Sequence, residues 1–182
     1  MRSRVRRHFP AVVLLCACIL LAGISCRQEI HPAVSTRHLK GMSDSLVEFN
    51  RKIAKTEDQE IDDLIARYHW IMQKTPTGVR YMIYHHGNGP RVKSGNRVQY
   101  LYEIRLINGS LCYSSGKNNP KTVRLGHSEI EPGLEEGILL MKVGDRAKII
   151  VPSHLAFGLL GDQSRIPPGA TLVYDVELLN AN

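Results

Sequence analysis

The sequence predicts an α+β fold, an antiparallel sheet wrapped around one short helix and preceded by a helical extension. Three stretches carry that expectation. From Leu172 to Leu178 apolar residues (Leu172, Tyr174, Val176, Leu178) take every second position, the period of a strand with one buried face. Upstream, Leu134, Ile138 and Met141 share one face of a short helix that Pro132 opens, where its missing N–H costs nothing, and Gly144 closes. The β-branched run Ala147 to Val151 then suits a strand. Third, Asn108-Gly109 is the strongest short hairpin signal available, and it follows a long strand, Val98 to Ile107. That strand sets Tyr100, Tyr102 and Ile104 on one face and Leu101 and Glu103 on the other.

Taken in order, the chain begins with targeting information. Arg2, Arg4, Arg6 and Arg7 precede the apolar run Ala11 to Ala22, and no acidic residue occurs before Glu29. This is the basic and apolar layout of a secretory signal, too short to span a bilayer comfortably as a permanent helix. The run ends Leu21-Ala22-Gly23-Ile24-Ser25-Cys26, which resembles a bacterial lipoprotein signal cleaved before Cys26 with that cysteine lipidated, although Gly23 stands where leucine is usual. An ordinary secreted protein and an uncleaved signal anchor are the alternatives. Cleavage before Cys26 removes four arginines and no acid, lowering the net charge from +7 to +3, which gives no reason to expect a nucleic-acid partner. It also leaves Cys112 as the one cysteine of the mature body besides Cys26, so no intrachain disulfide is expected there.

Four segments follow from this reading: a signal peptide over 1–25, a tether over 26–42, a helical extension over 43–75 and the main domain over 76–182. The tether has no hydrophobic period and carries Pro32 and Gly41. In the extension, Leu46, Phe49, Ile53, Ile61, Leu64, Tyr68 and Ile71 keep helical steps, except where Glu57 occupies the stripe. Ser45-x-x-Glu48 suits its start, Thr56-x-x-Gln59 a restart after a break, and Pro76 and Gly78 a stop. Two roles fit this face equally: packing on its own domain, or contact with a second copy or a client chain. Val79, Tyr81 and Ile83 then alternate as a strand, and Gly87-Asn88-Gly89-Pro90 is a turn. His85, His86, His127 and His154 have no carboxylate or cysteine at ligand spacing, so no metal site and no cofactor is expected.

The last hundred residues or so carry a long string of matches. It comprises Tyr102, Asn108-Gly109, Ser114-Ser115, Leu125-Gly126, Gly133-x-Glu135-Glu136-Gly137, Met141-x-Val143-Gly144, Arg146-Ala147-Lys148, Ala156-Phe157-Gly158, Gly161, Ile166-Pro167-Pro168 and Thr171 to Leu179. In order and spacing this string resembles the FKBP-type peptidyl-prolyl cis-trans isomerases, the immunophilin family. The whole layout is similar to the gliding-motility-associated isomerase lipoproteins of the Bacteroidetes.

The resemblance implies an enzyme that turns X-Pro amides. Such rotation meets a barrier of about 18–20 kcal/mol because it breaks amide conjugation. No nucleophile, metal or general base is required to lower it; a dry apolar pocket that fits the twisted amide, with one or two donors, suffices. By resemblance the prolyl pocket is walled by the catalytic Tyr102, Phe157 and Tyr174, with Ile130, Leu134 and Ile166 beside them and Tyr113 and Glu131 at its rim. Leu134 stands in place of the usual tryptophan floor, Tyr113 of an aspartate, Cys112 of a phenylalanine, Lys121 of an aromatic and Glu131 of an aliphatic residue, while Phe157 lacks the usual tyrosine hydroxyl. These departures imply a more polar rim and weak activity. The implied partners are proline-containing clients in a bacterial cell envelope, reached by a protein anchored to the outer membrane facing the periplasm and able to form a homodimer through its helical segment. The alternative is a chaperone or scaffold whose pocket holds chains without turning them.

Overall fold

A computed structural model describes residues 36–182, with side chains from Asp44 onward. The signal peptide, Cys26 and most of the tether lie outside the described residues. Helix α1 runs Thr36–Tyr68. Seven strands follow: β1 Gln73–Lys74, β2 Arg80–His85, β3 Arg97–Leu106, β4 Leu111–Ser114, β5 Lys121–Arg124, then β6 Arg146–Val151 and β7 Leu172–Ala181. Helix α2, Pro132–Leu139, lies between β5 and β6. All strand pairs are antiparallel, in the order β1-β2-β6-β7-β3-β4, with β5 also on β3.

The sheet has two covered faces. Ala147, Ile149 and Val151 of β6, with Leu172, Tyr174, Val176 and Leu178 of β7, join Leu134 and Ile138 of α2 in one core. The intervening Ile150 and Val173 point the other way and pack with Ile61 and Leu64 of α1. Each such buried aliphatic contributes about 1.5–3 kcal/mol. The uninterrupted Ile149-Ile150-Val151 and Leu172-Val173-Tyr174 are the sequence mark of a sheet buried on both sides.

Three boundaries differ from the sequence reading. Helix α1 starts at Thr36, inside the stretch read as tether, and it is continuous through Thr56 rather than broken there. It stops at Tyr68 rather than near Pro76. His69 takes a left-handed φ of 53°, its N–H reaches the Ala66 carbonyl, and the Trp70 N–H reaches that of Ile65. This Schellman closure turns Trp70 onto the sheet, where it stacks with Tyr68 at 4.8 Å and lies under the Lys148 ammonium at 5.1 Å. Residues 73–74 are therefore strand, not helix. At the Asn108-Gly109 turn, only Gly109 has positive φ (90°), and the Leu106 N–H bonds to the Ser110 carbonyl. The connection is thus a three-residue loop with glycine at the left-handed position, not the two-residue turn that Asn-Gly most often makes.

Ion pairs reinforce the seat of α1. The Arg80 guanidinium, buried in β2, donates to Asp58 at 2.6 Å, Asp62 at 2.9 Å and the Gly78 carbonyl at 2.6 Å. Lys74 adds a contact to Asp58 at 2.9 Å. Hydrogen bonds from Arg80 and then Lys74 hold the Asp58 carboxyl below its usual value of 3.8. A carboxyl lowered by folding contributes stability above its unfolded value and loses it as pH falls through the lowered one. Asp58 is partly exposed, so solvent screens the effect. On acid titration below pH 4, fluorescence of Trp70, the one tryptophan of the chain, is expected to report loosening of α1. Asp58→Asn should remove part of that pH dependence; an identical titration curve would show that Asp58 does not contribute.

Candidate functional site

The residues proposed as pocket walls come from four separated segments that share one core. Strands β3 and β7 pair Tyr102 with Val176 and Ile104 with Tyr174, so both tyrosines stand on the inner face, one step apart diagonally. Leu134 is on the face of α2 turned to that sheet. Ile130 enters from the loop before α2, and Phe157 and Ile166 from the long connection between β6 and β7. All belong to the inner core: Tyr174, Leu134, Ile130 and Ile166 are buried, and Tyr102, Phe157 and Tyr113 are half-buried against them. Tyr102, Phe157 and Tyr113 therefore keep ring surface open to a ligand, and the buried Tyr174, Leu134, Ile130 and Ile166 back them from the core.

Backbone bonds hold Tyr102 from its outer side. Its N–H donates to Ser115 Oγ at 3.0 Å and its carbonyl accepts the Ser115 N–H at 3.0 Å. The Lys121 ammonium lies 5.9 Å from the Tyr102 ring centroid, so a cation sits where the family has an aromatic. Tyr100, which the sequence reading placed on the same face without a role, packs its ring 5.8 Å from that of Tyr102 at 49°.

Tyr113 is held by the β6–β7 connection. Tyr113 donates its hydroxyl to Asp162, a short contact across 49 residues of sequence. Asp162 Oδ1 also accepts the N–H groups of Ser164 at 2.9 Å and Ile166 at 2.7 Å, and the Tyr113 bond first, then these, hold its carboxyl below the usual range. Arg165 places its guanidinium 5.3 Å from the Tyr113 ring centroid and donates to the Cys112 carbonyl at 2.9 Å. A carboxylate from the β6–β7 connection therefore stands against Tyr113. Substituting Tyr113 by aspartate would set two carboxylates against each other, so the structure gives no reason to expect it to restore the family rim. Only the Asp162-Gln163-Ser164 turn pattern hinted at this residue in the sequence.

Glu131 immediately precedes Pro132 at the start of α2, and its carbonyl accepts the Glu135 N–H at 3.0 Å, while its side chain caps nothing. Burial and then the Glu131 carboxylate push the phenols of Tyr174 and Tyr100 far above their usual range. Neither hydroxyl has a hydrogen-bond partner among the described residues. Both phenols therefore stay neutral at any physiological pH, and the inner end of the site pairs apolar rings with polar tips. Cys112 is buried, which pushes its thiol up and argues against a nucleophile.

A groove of about 560 Å³ lies beyond Ile166, between α1 and the loop at Pro167 to Thr171. It contains a single aromatic ring, Phe49, and none of the wall residues, so it lacks the converging rings that an X-Pro site needs.

A model of the FKBP-type peptidyl-prolyl cis-trans isomerase matches residues 89–179. FK506-binding protein 4 of Dictyostelium discoideum is 39% identical over 105 residues, which are 58% of this chain and 29% of that protein. The probable FKBP-type peptidyl-prolyl cis-trans isomerase FkpA of Neisseria meningitidis is 37% identical over 108 residues, 59% of this chain and 39% of that one. These matches thus span well under half the length of the relatives. The crystal structure of AtFKBP13 superposes with a TM-score of 0.57 at 27% identity, covering 61% of this chain and 98% of that one. With half of the chain matched by the family model and the antiparallel sheet and helix in place, the protein belongs to the FKBP-type peptidyl-prolyl cis-trans isomerase family.

Proposed function

We propose that the domain accelerates cis-trans isomerisation of X-Pro bonds, through Tyr102, Phe157 and Tyr174 as walls, Leu134 as floor and Ile130 and Ile166 as flanks. The observation that carries this reading is that the half-buried Tyr102 and Phe157 pack against the same core as the buried Tyr174. Family membership supports it. The prolyl ring enters among these side chains, water is displaced, and the twisted amide, less conjugated and less dependent on water, is bound better than either planar isomer. A donor from the backbone at Ile130 serves the carbonyl. Phe157 offers no hydroxyl, so one transition-state contact is absent; each about 1.4 kcal/mol so lost slows the reaction tenfold. Activity is accordingly weak but real.

The clients are proline-containing chains of a bacterial envelope. The basic start, short apolar run and Cys26 support a lipid anchor in the outer membrane facing the periplasm, and the exposed Leu46, Phe49 and Ile53 of α1 support a homodimer through that helix. A second reading, a module that holds chains without turning them, is favoured by the apolar groove along α1 and by the exposed Leu159 and Leu160 beside Phe157. Refolding of a client whose slow phase is proline isomerisation separates the two. The expected result is a faster slow phase with unchanged amplitude. Suppressed aggregation with no acceleration would replace the enzyme by the holding module.

A further inference from the structure

The one interruption in the apolar stripe of α1 is Glu57, and the fold gives it a specific task. Its Oε1 accepts the Ser153 N–H at 2.6 Å and the Thr171 hydroxyl at 2.6 Å; its Oε2 accepts the Ser153 hydroxyl at 3.0 Å. Ser153 stands two residues after β6 ends, and Thr171 immediately precedes β7. A single carboxylate therefore joins the two ends of the connection that carries both Phe157 and Ile166. Thr171 is buried, so removing its acceptor leaves a hydroxyl without compensation from water.

From this geometry we infer that Glu57 is a positioning residue for the prolyl site, and that α1 is through it a working part of the isomerase domain rather than a spacer. The inference rests on the isomerase reading above. Other ties hold the connection elsewhere: Asp162 closes onto Ser164 and Ile166, the Gly169 N–H bonds to the Gly158 carbonyl at 2.9 Å, Tyr113 and Arg165 join its middle to β4, and the pairing of Val151 with Leu172 closes its base on the sheet. None of them reaches α1. Glu57 ties both ends to α1 at once, and misplacement of a wall by about 1 Å is enough to cost up to a hundredfold in rate.

The test compares four forms of the full chain: wild type, Glu57→Leu, Glu57→Gln and Asp62→Asn. Leucine continues the apolar stripe and keeps α1 seated, but abolishes all three bonds. Glutamine keeps a carbonyl oxygen for the Ser153 N–H and the Thr171 hydroxyl, and its amide can donate to Ser153 Oγ. Asp62→Asn weakens the Arg80 anchor of the same helix without touching the loop. In a protease-coupled assay with an X-Pro peptide, kcat/KM of Glu57→Leu is expected to fall about tenfold, mainly in kcat. Glu57→Gln should recover most of it and Asp62→Asn should keep at least half. Amide exchange of residues 153–158 and 166–171 should quicken in Glu57→Leu while that of β3 does not. Undiminished kcat/KM in Glu57→Leu, or an equal loss in Asp62→Asn, overturns the inference. A wild type without activity overturns the isomerase reading instead, and the exchange measurement then decides alone: unchanged protection of the two loop ends refutes the clamp.

Discussion

Gly133→Ala combined with Gly137→Ala is expected to destabilise the protein by about 2–4 kcal/mol and to abolish most activity with it. The two glycines form the face by which α2 lies on β6. A Cβ at Gly133 would stand 2.4 Å from Val151 Cγ1 and 3.0 Å from Leu155 Cβ; at Gly137 it would stand 2.6 Å from Ile149 Cδ1 and 2.9 Å from its Cγ2. Alanine gains about 1 kcal/mol per site in helix propensity, and Ile149 Cδ1 can rotate away. Ile149 Cγ2 and Val151 Cγ1 cannot follow, because both residues are β-branched inside a strand and stiff at χ1. Relief then requires the helix to rise from the sheet, which moves Leu134 away from Tyr174 and loosens the core on both sides of it. Urea unfolding should show a lower midpoint with an unchanged slope. A midpoint at or above that of wild type would mean that helix propensity outweighs the close approach and that α2 has slack on the sheet.

Tyr102→Ala is expected to lower kcat/KM by about 30- to 100-fold, the equivalent of about 2–3 kcal/mol of lost transition-state contact. Its ring is half-buried and offers free surface, whereas Tyr174 is fully buried. The truncation therefore removes a wall more than it opens the core. Strand β3 remains held by its pairing to β7 and by the two bonds to Ser115, so circular dichroism should stay that of wild type. An unaltered kcat/KM with intact folding would remove the prolyl site from these residues and leave the holding module as the better account.

Much of this protein was legible before any coordinates, and the reason is that its determinants are local. Alternation along Leu172 to Leu178 follows from strand geometry, although Val173 is buried on the opposite face as well, and the Pro132 start of α2 follows from what a helix opening requires. Its end does not fall at Gly144, because Leu140 caps it and Gly144 turns the chain toward β6. The family string singled out Tyr102, Phe157 and Tyr174 because spacing within it is preserved, and the pairing of β3 with β7 sets the two tyrosines on one face. Boundaries were less legible. The end of α1 depends on Trp70 turning onto the sheet to meet Lys148, a partner 78 positions away, which no capping pattern near Pro76 reveals.

What only the tertiary structure decided are the partnerships between polar groups far apart in sequence. Asp162 meets the Tyr113 hydroxyl, 49 residues away, and Glu57 meets Ser153 and Thr171 at separations of 96 and 114 residues. In the sequence Glu57 is only a defect in an apolar stripe. A hydrogen bond leaves no periodicity behind: burial repeats with the helix or the strand and can be read from one segment alone, but a directional bond is specified by where two segments happen to meet, and folding alone determines that.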